Sequence, residues 1–482
     1  MATKRPTPSP GEGKPLAPSP RGATRTAAQA HGEALPIFAF DLETTGLDPH
    51  KGARIFAWAI CTMDGKTTVY RKGWREALVE LLSRPVVLVA HNFHFELAML
   101  RAEGFDVSRV VWHDTMILSQ IFDNLQPSYT LDYQAYTWGR YPMEADAAVA
   151  KAAKIYGTYD KIPVRLMDPY QRADVERAAL LYLVFRPKVE ADARIWADYL
   201  NEIELVKTTV EMERRGILLC RPEAEKLTAR LTRDVQDVER AIFESRGEFV
   251  NLNSGKQVAR LLYEEMGLPV LKTTKGGAQA TDKDALEMLR PEAEKLGGKA
   301  AEIFDLILKQ RSATKGIAMV SSYIKAAGPD GVIHPHINTN RAQTGRESGE
   351  NPNMQNISKD AALKTKFPVP ARRCFRARPG CILFLVDYAG IEMRLIVEIT
   401  KEPELVELIK RNGDPHSLAA SLFYGPIWAD DARAMSFTSA AESFGLRAAK
   451  VLPSGATARA RIGLRWVTVR SRWPARSAPR SR

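Results

Sequence analysis

Bulky apolar residues are almost absent before Leu35. The preceding residues 1–34 are mostly Pro, Ser, Ala, Thr and Gly. Such a segment cannot bury enough surface to offset its ordering entropy, so a disordered tail is expected. The run LPIFAFDLETTGLD (Leu35 to Asp48) has the density of a buried strand followed by a turn. VVLVAHN (Val86 to Asn92) predicts a second strand, which enters a helix at FELAMLRAEG. Strand-like and helical stretches then mix as far as residue 195, the pattern of an α/β domain. From Tyr199 to Ile324 the apolar spacing turns helical over long charged stretches, such as AEKLTARLTRDVQDVERAIFESRG and GKAAEIFDLILKQRSATKG. Strand-like runs return with GVIHPHINTN and CILFLVDYAG, so a third, mixed region is expected to start near Gly331. The resulting division is 1–34, 35–195, 196–330, 331–432 and 433–482. In the last segment Arg, Ala, Ser and Pro dominate and hydrophobic periodicity fades. There are no internal repeats.

Length and composition change this picture little. The 482 residues suffice for roughly two to four domains with cores of their own. Hydrophobic residues make up 45% and charged residues 26%, ordinary for a globular protein. No apolar stretch approaches a membrane span, and the N-terminus lacks the apolar centre of a secretory signal, so a cytoplasmic protein is expected. The few acids in the tail suit a transit peptide, but its prolines argue against an amphipathic helix. The cysteines Cys61, Cys220, Cys374 and Cys381 are scattered without a CxxC pair, which points to reduced thiols rather than zinc.

Net charge is +12, a value that usually indicates a nucleic-acid partner. Most of it sits at one end. From Ser443 to Arg482 there are nine Arg, one Lys and no acid, leaving about +2 for the rest. A DNA-binding argument must therefore rest on motifs.

The first motif is Asp41-Leu42-Glu43. Two residues apart on a strand, both carboxylates project to one face and repel each other unless a cation neutralises them. On its own, a solvated acid pair on an edge strand is the commoner case. His91-Asn92-Phe93-His94-Phe95-Glu96 follows, then Tyr170 and Asp174, which share a helix face at i, i+4. Taken singly, Glu96 would be an acid opposing a helix dipole, and Tyr170 with Asp174 a surface pair.

Taken together and in order, these segments resemble the three exonuclease motifs of the proofreading domain of family A (polymerase I-like) DNA polymerases. HDTMILSQIF (His113 to Phe122) is similar to the element between the second and third motifs. The resemblance implies a ribonuclease H-like α/β exonuclease domain, followed by a helical thumb and a partial α+β palm. It assigns Asp41, Glu43, Glu96 and Asp174 to two divalent ions, Mg²⁺ or Mn²⁺. It makes Tyr170 the group that orients the attacking water and Leu47 the wedge against the terminal base. Asn92 is assigned to the substrate. Glu96 is a departure, since the family usually has Asp there.

The second half extends the resemblance. Glu248 to Leu286 is similar to the duplex-gripping thumb, with Lys272, Lys275, Gly276 and Gly277 placed to approach a DNA backbone or to form an exposed loop. Its SGK lacks the frame of a phosphate-binding loop. TGRESGENPNMQNIS (Thr344 to Ser358) resembles the element lining the primer–template minor groove and assigns Arg346, Asn353, Gln355 and Asn356 to DNA. LFLVDYAGIEMR (Leu383 to Arg394) resembles the first catalytic palm motif. Its apolar run is expected to be a buried strand delivering Asp387 to the metals, with Glu392 screening the 2′ position. Ala389 and Gly390 stand where Ser and Gln are usual. GDPHSLAASLFYG adds His416 as a substrate contact.

There the resemblance fails. The finger helix RxxxKxxxFGxxYG is met by LRAAKVLPSG, which keeps only Lys450 and Gly455. Leu446, Ser454 and Ala458 replace Arg, Phe and Tyr, and Pro453 would disrupt the helix. No histidine follows His416, so the His-Asp-Glu palm motif is absent from these residues. The basic tail reads as a shifted frame in a GC-rich gene or as a DNA-binding tail. The expected function is DNA 3′-end removal, acting on primer–template or a single-stranded 3′ end. Deoxynucleotides are not expected to be used productively. The alternatives are a non-catalytic primer–template-binding remnant and, less well supported by the thumb and palm segments, an exoribonuclease.

Overall fold

Runs of Val, Ile, Phe and Ala spaced for burial set the first half of the chain. In the computed structural model, which describes residues 35–141, 145–342, 344–357, 367–388 and 390–411 together with 413 and 418, they form a five-stranded sheet. Strand β1 (Ile37–Thr44) lies at its centre. It pairs antiparallel with β2 (Ile55–Thr62), which pairs antiparallel with β3 (Thr67–Tyr70). On its other side β1 pairs parallel with β4 (Val86–Ala90), and β4 with β5 (Val110–Asp114). The order is β3-β2-β1-β4-β5. All five residues of β4 are buried, as expected of a parallel strand covered on both faces.

Helices α1 (Trp74–Leu82), α2 (His94–Ala102) and α3 (Thr115–Phe122) follow β3, β4 and β5. After α4 (Leu131–Gly139) and α5 (Ala145–Tyr156) comes the long α6 (Val164–Glu190), which packs on β1, β2 and β3. Small residues make that approach close: Ala39, Ala59 and Cys61 of the sheet meet Val175, Ala178 and Ala179 of α6. The strand-turn and strand-to-helix expectations at Leu35–Asp48 and Val86–Gly104 hold.

Contacts divide the chain into two compact units, one reaching Tyr199 and one beginning at Leu200. Helix α7 (Ala193–Arg215) contains the boundary. The second unit is built on the long helices α8 (Arg221–Arg246) and α11 (Gly298–Ala326), which pack against each other. Short α9 (Gly255–Ala259) and α10 (Lys283–Leu296) close a core of Ile242, Leu262, Leu289, Phe304 and Ile307. The helical expectation misses one strand, β6 (Ile217–Leu219), which precedes α8. It joins β7 (Val332–Ile333) and β10 (Phe375–Arg376) in a small sheet ordered β10-β6-β7. Between them, β8 (His336–Asn338) and β9 (Ser348–Glu350) form a separate pair. Helices α12 (Ile391–Thr400) and α13 (Pro403–Lys410) follow.

One expectation is overturned. Residues 382–388 form no strand and are exposed: Leu385 is 70% and Tyr388 64% accessible. A strand needs neighbours to satisfy its backbone and cover its side chains, and no described strand pairs with this run. The tails 1–34 and 433–482, with Lys450 and Pro453, lie outside the described residues, as does His416. Among the described residues no helix is long and apolar enough to cross a membrane.

Candidate active site

The central strand carries the first two acids. Asp41 and Glu43 project from the same face of β1, and the β1–β2 register slips immediately after Glu43. Such an irregularity bends the strand end and re-aims what it carries. Glu43 is buried, whereas Asp41 keeps part of its surface open although its carboxyl is desolvated. Glu96 comes from the first turn of α2 and is 3% exposed. Tyr170 and buried Asp174 come from one face of α6.

These groups feel one another. Burial, and then the charge of Glu43, raises the Asp41 carboxyl well above its ordinary range. Burial and the Asp174 charge push Glu43 up to about 8. Burial and the Asp41 charge raise Glu96. The Tyr170 hydroxyl is raised by burial and then by the charges of Asp174, Asp41 and Glu43, and it hydrogen-bonds Asp174. These effects favour its protonated form. The structure brings all five sequence-assigned residues into one electrostatic neighbourhood.

Two of the oxygens are orphaned. Glu43 Oε1 and Glu96 Oε2 are buried without a hydrogen-bond partner. A buried, unsatisfied carboxylate oxygen is costly. Hard divalent cations with oxygen preference would relieve both the missing contacts and the mutual repulsion, so the donor set fits such ions. Nearby, Leu47 is 85% exposed, an apolar side chain left in solvent at the turn after β1.

The junction that aims Glu96 is held by Asp114. Its Oδ2 accepts from Phe93 N at 2.7 Å, and its Oδ1 accepts from Met116 N at 2.7 Å and Ile117 N at 3.1 Å. One carboxylate thus caps α3 and fixes the entry to α2. Thr115 Oγ1 donates to Ala90 O at 3.3 Å and contacts His91 Nδ1 at 2.8 Å. His91 Nε2 donates to the Tyr129 carbonyl at 2.8 Å. Asn92 sits in the left-handed region at φ 74 with an exposed side chain, so its backbone makes the turn while its amide faces solvent.

Two cations border the cluster that the motifs did not mark. Arg71 donates through Nε to Asp168 Oδ1 at 2.8 Å and through Nη2 to Gln171 Oε1, and its charge lowers Glu43. It lies on a different element from the carboxylates, and no local pattern announces it. Arg177 contacts Asp174 Oδ1 at 3.2 Å, and its spacing of three after Asp174 was the available signal.

In the second unit Arg346 Nη2 meets Glu392 Oε1 at 3.1 Å, so two residues assigned from separate motifs are joined. Both are exposed, which makes the pair weak. Gln355 braces its own loop, accepting from Gly349 N at 3.2 Å and donating to Glu347 O at 3.3 Å. Asn353 Oδ1 accepts from Gln355 N at 2.9 Å, and Asn353 and Asn356 line a cavity of about 550 Å³ with Lys315 and Tyr323. Asp387 stands in the exposed run rather than at a strand end. Lys272 pairs with Asp282 at 3.1 Å and Asp284 at 2.9 Å, in the loop that the sequence left open as a DNA-backbone contact or an exposed loop. The same loop borders a cavity of about 1010 Å³, where Lys256, Arg260, Arg311 and Lys315 stand with Glu264 and Asp282.

The described residues form a helix-rich α/β chain that carries a cluster of acids on β1, α2 and α6. Residues 221–435 match the model of DNA polymerase family A, and the chain belongs to that family. It is 26% identical over 439 residues to DNA polymerase I of Pseudomonas aeruginosa, covering 86% of this chain and 46% of that one. It is 31% identical over 330 residues to DNA polymerase I of Geobacillus stearothermophilus, covering 64% and 35%. The chain thus spans less than half the length of these relatives. A solved structure, the POL domain of Pol1 from M. smegmatis in complex with DNA primer-template and dNTP, superposes with a TM-score of 0.63 at 25% identity, covering 85% of this chain and 68% of that one.

Proposed function

We propose that the unit ending at Tyr199 is a ribonuclease H-like 3′–5′ exonuclease that removes nucleotides from DNA 3′ ends. The observation that carries this reading is the four-carboxylate cluster with two buried oxygens lacking partners, Glu43 Oε1 and Glu96 Oε2. Asp41, Glu43, Glu96 and Asp174 would hold Mg²⁺ or Mn²⁺, which when bound supply positive charge at the scissile phosphate and acidify a water. The protein's own groups do the rest. Burial and the neighbouring acids favour the protonated Tyr170 hydroxyl, which would position a water by hydrogen bonding. Asp174 holds that hydroxyl in place. Leu47 offers an apolar edge on which a terminal base can stack away from its partner. Asn92 presents its amide beside the helix that carries Glu96.

In the second unit Arg346, Asn353, Gln355 and Asn356 are proposed to contact primer–template DNA, and the cavity with Lys256, Arg260, Arg311 and Lys315 its backbone. Asp387, Glu392 and His416 keep their assignments to polymerase chemistry. DNA synthesis by this chain is proposed to be lost, because the segment beginning LRAAKVLPSG departs from the family's finger helix at Leu446, Ser454 and Ala458. Asp41→Ala tests the nuclease site. Digestion of single-stranded DNA should fall by several orders of magnitude, while unchanged digestion would remove Asp41 from the site. Duplex binding without digestion by the unaltered chain would favour the non-catalytic reading.

A further inference from the structure

A buried guanidinium stands against the acid cluster. The Arg177 side chain is 1% exposed, and its Nη1 lies 3.2 Å from Asp174 Oδ1 and 3.5 Å from Asp132 Oδ1 of α4. The Tyr141 ring covers the charge, with its centroid 5.2 Å away. Tyr141 is itself held by a hydrogen bond from its hydroxyl to Glu176 Oε2 at 2.8 Å. A fully enclosed guanidinium is strongly unfavourable unless its charge and donors are matched.

The matching is unequal. The Asp174 side chain is 8% exposed and that of Asp132 35%. Screening is weaker for the more buried partner, so the pair with Asp174 is the stronger of the two. On α6, Tyr170 lies four residues before Asp174 and Arg177 three after. These spacings put all three on one helix face. One carboxylate is therefore gripped from both sides, by a hydroxyl and by a guanidinium.

We infer that Arg177 is a positioning residue of the nuclease centre: it clamps the Asp174 carboxylate in one orientation and thereby sets how tightly the cluster holds a divalent cation. The inference rests on the nuclease reading of the same cluster. Groups that fix a metal-binding side chain from behind typically change metal affinity about 10–100-fold when removed. The competing role is a structural bolt between α4 and α6, made through Asp132.

The test is a Mn²⁺ titration of the full chain, read by the shift in thermal unfolding, by calorimetric binding and by digestion of 3′-labelled single-stranded DNA. Arg177→Met should require about 10–100-fold more Mn²⁺ in all three readouts. Arg177→Lys keeps the charge but loses the fork and should show an intermediate rise. Asp132→Asn should lower thermal stability yet keep the wild-type Mn²⁺ requirement. An unchanged requirement in Arg177→Met, or an equal rise in Asp132→Asn, would overturn the inference and leave the bolt. If Arg177→Met fails to fold, Arg177→Lys decides: an intermediate rise supports the clamp, and a wild-type requirement overturns it. A wild-type chain that neither binds Mn²⁺ nor digests DNA would overturn the nuclease reading and the clamp with it. Digestion with an unmoved requirement overturns the clamp alone.

Discussion

Glu43 shows how a single buried acid can be costly to the fold. Its carboxyl is pushed up to about 8 from an ordinary value of 4.5, chiefly by burial and then by Asp174. A carboxyl whose folded value is raised binds its proton more tightly folded than unfolded. Stability is then highest below the unfolded value and declines as pH rises toward about 8. The metal-free chain should therefore melt several degrees lower at pH 8 than at pH 5, and Mn²⁺ should restore it at pH 8. Glu43→Gln removes this ionisation, so its thermal unfolding should depend less on pH over that window. An unaltered pH slope in the variant would show that Glu43 carries no such strain. The candidate carboxylates stood out in the sequence because each sits in a short local pattern. Arg71 was not, because its contacts with Asp168 and Gln171 are made across the fold rather than along the chain.

Elements are placed by the same logic. β1, β4, α2 and α6 follow from runs whose periodicity is dictated by burial on one or both faces. The strand β6 escaped because three residues between two long helices carry no period of their own. Leu383 to Asp387 misled for the opposite reason. The run has strand composition, but a strand forms only against partners, and composition does not record whether partners exist. What joins the elements is often one side chain, and Asp114 is the clearest case. Asp114→Ala would strand the amides of Phe93, Met116 and Ile117 and should cost about 3 kcal/mol. Chemical denaturation followed by fluorescence would measure it. A cost within experimental error of zero would mean that the α2 entry is fixed by something else.

At the scale of the molecule, the two units carry different parts of the account. The first presents a cluster of acids, and the second an apolar run left in solvent. Ile382, Phe384, Leu385 and Val386 are all more than half exposed, and exposed apolar patches promote association. Leu385→Lys should leave thermal stability within about 0.5 kcal/mol, as surface substitutions do, and should reduce concentration-dependent light scattering. A large loss of stability would place Leu385 in a core instead. Family membership was legible from motif order. The activity of this particular chain was not, because motifs report ancestry while catalysis needs every group in place at once.

The central proposal is an active 3′–5′ exonuclease in a chain whose DNA synthesis is proposed to be lost. Its most direct test is incubation of a 3′-labelled primer–template with the full chain and Mg²⁺, with and without deoxynucleotides. Shortening of the primer in both conditions is the predicted result. Extension when deoxynucleotides are present, or an intact primer in both, would contradict it.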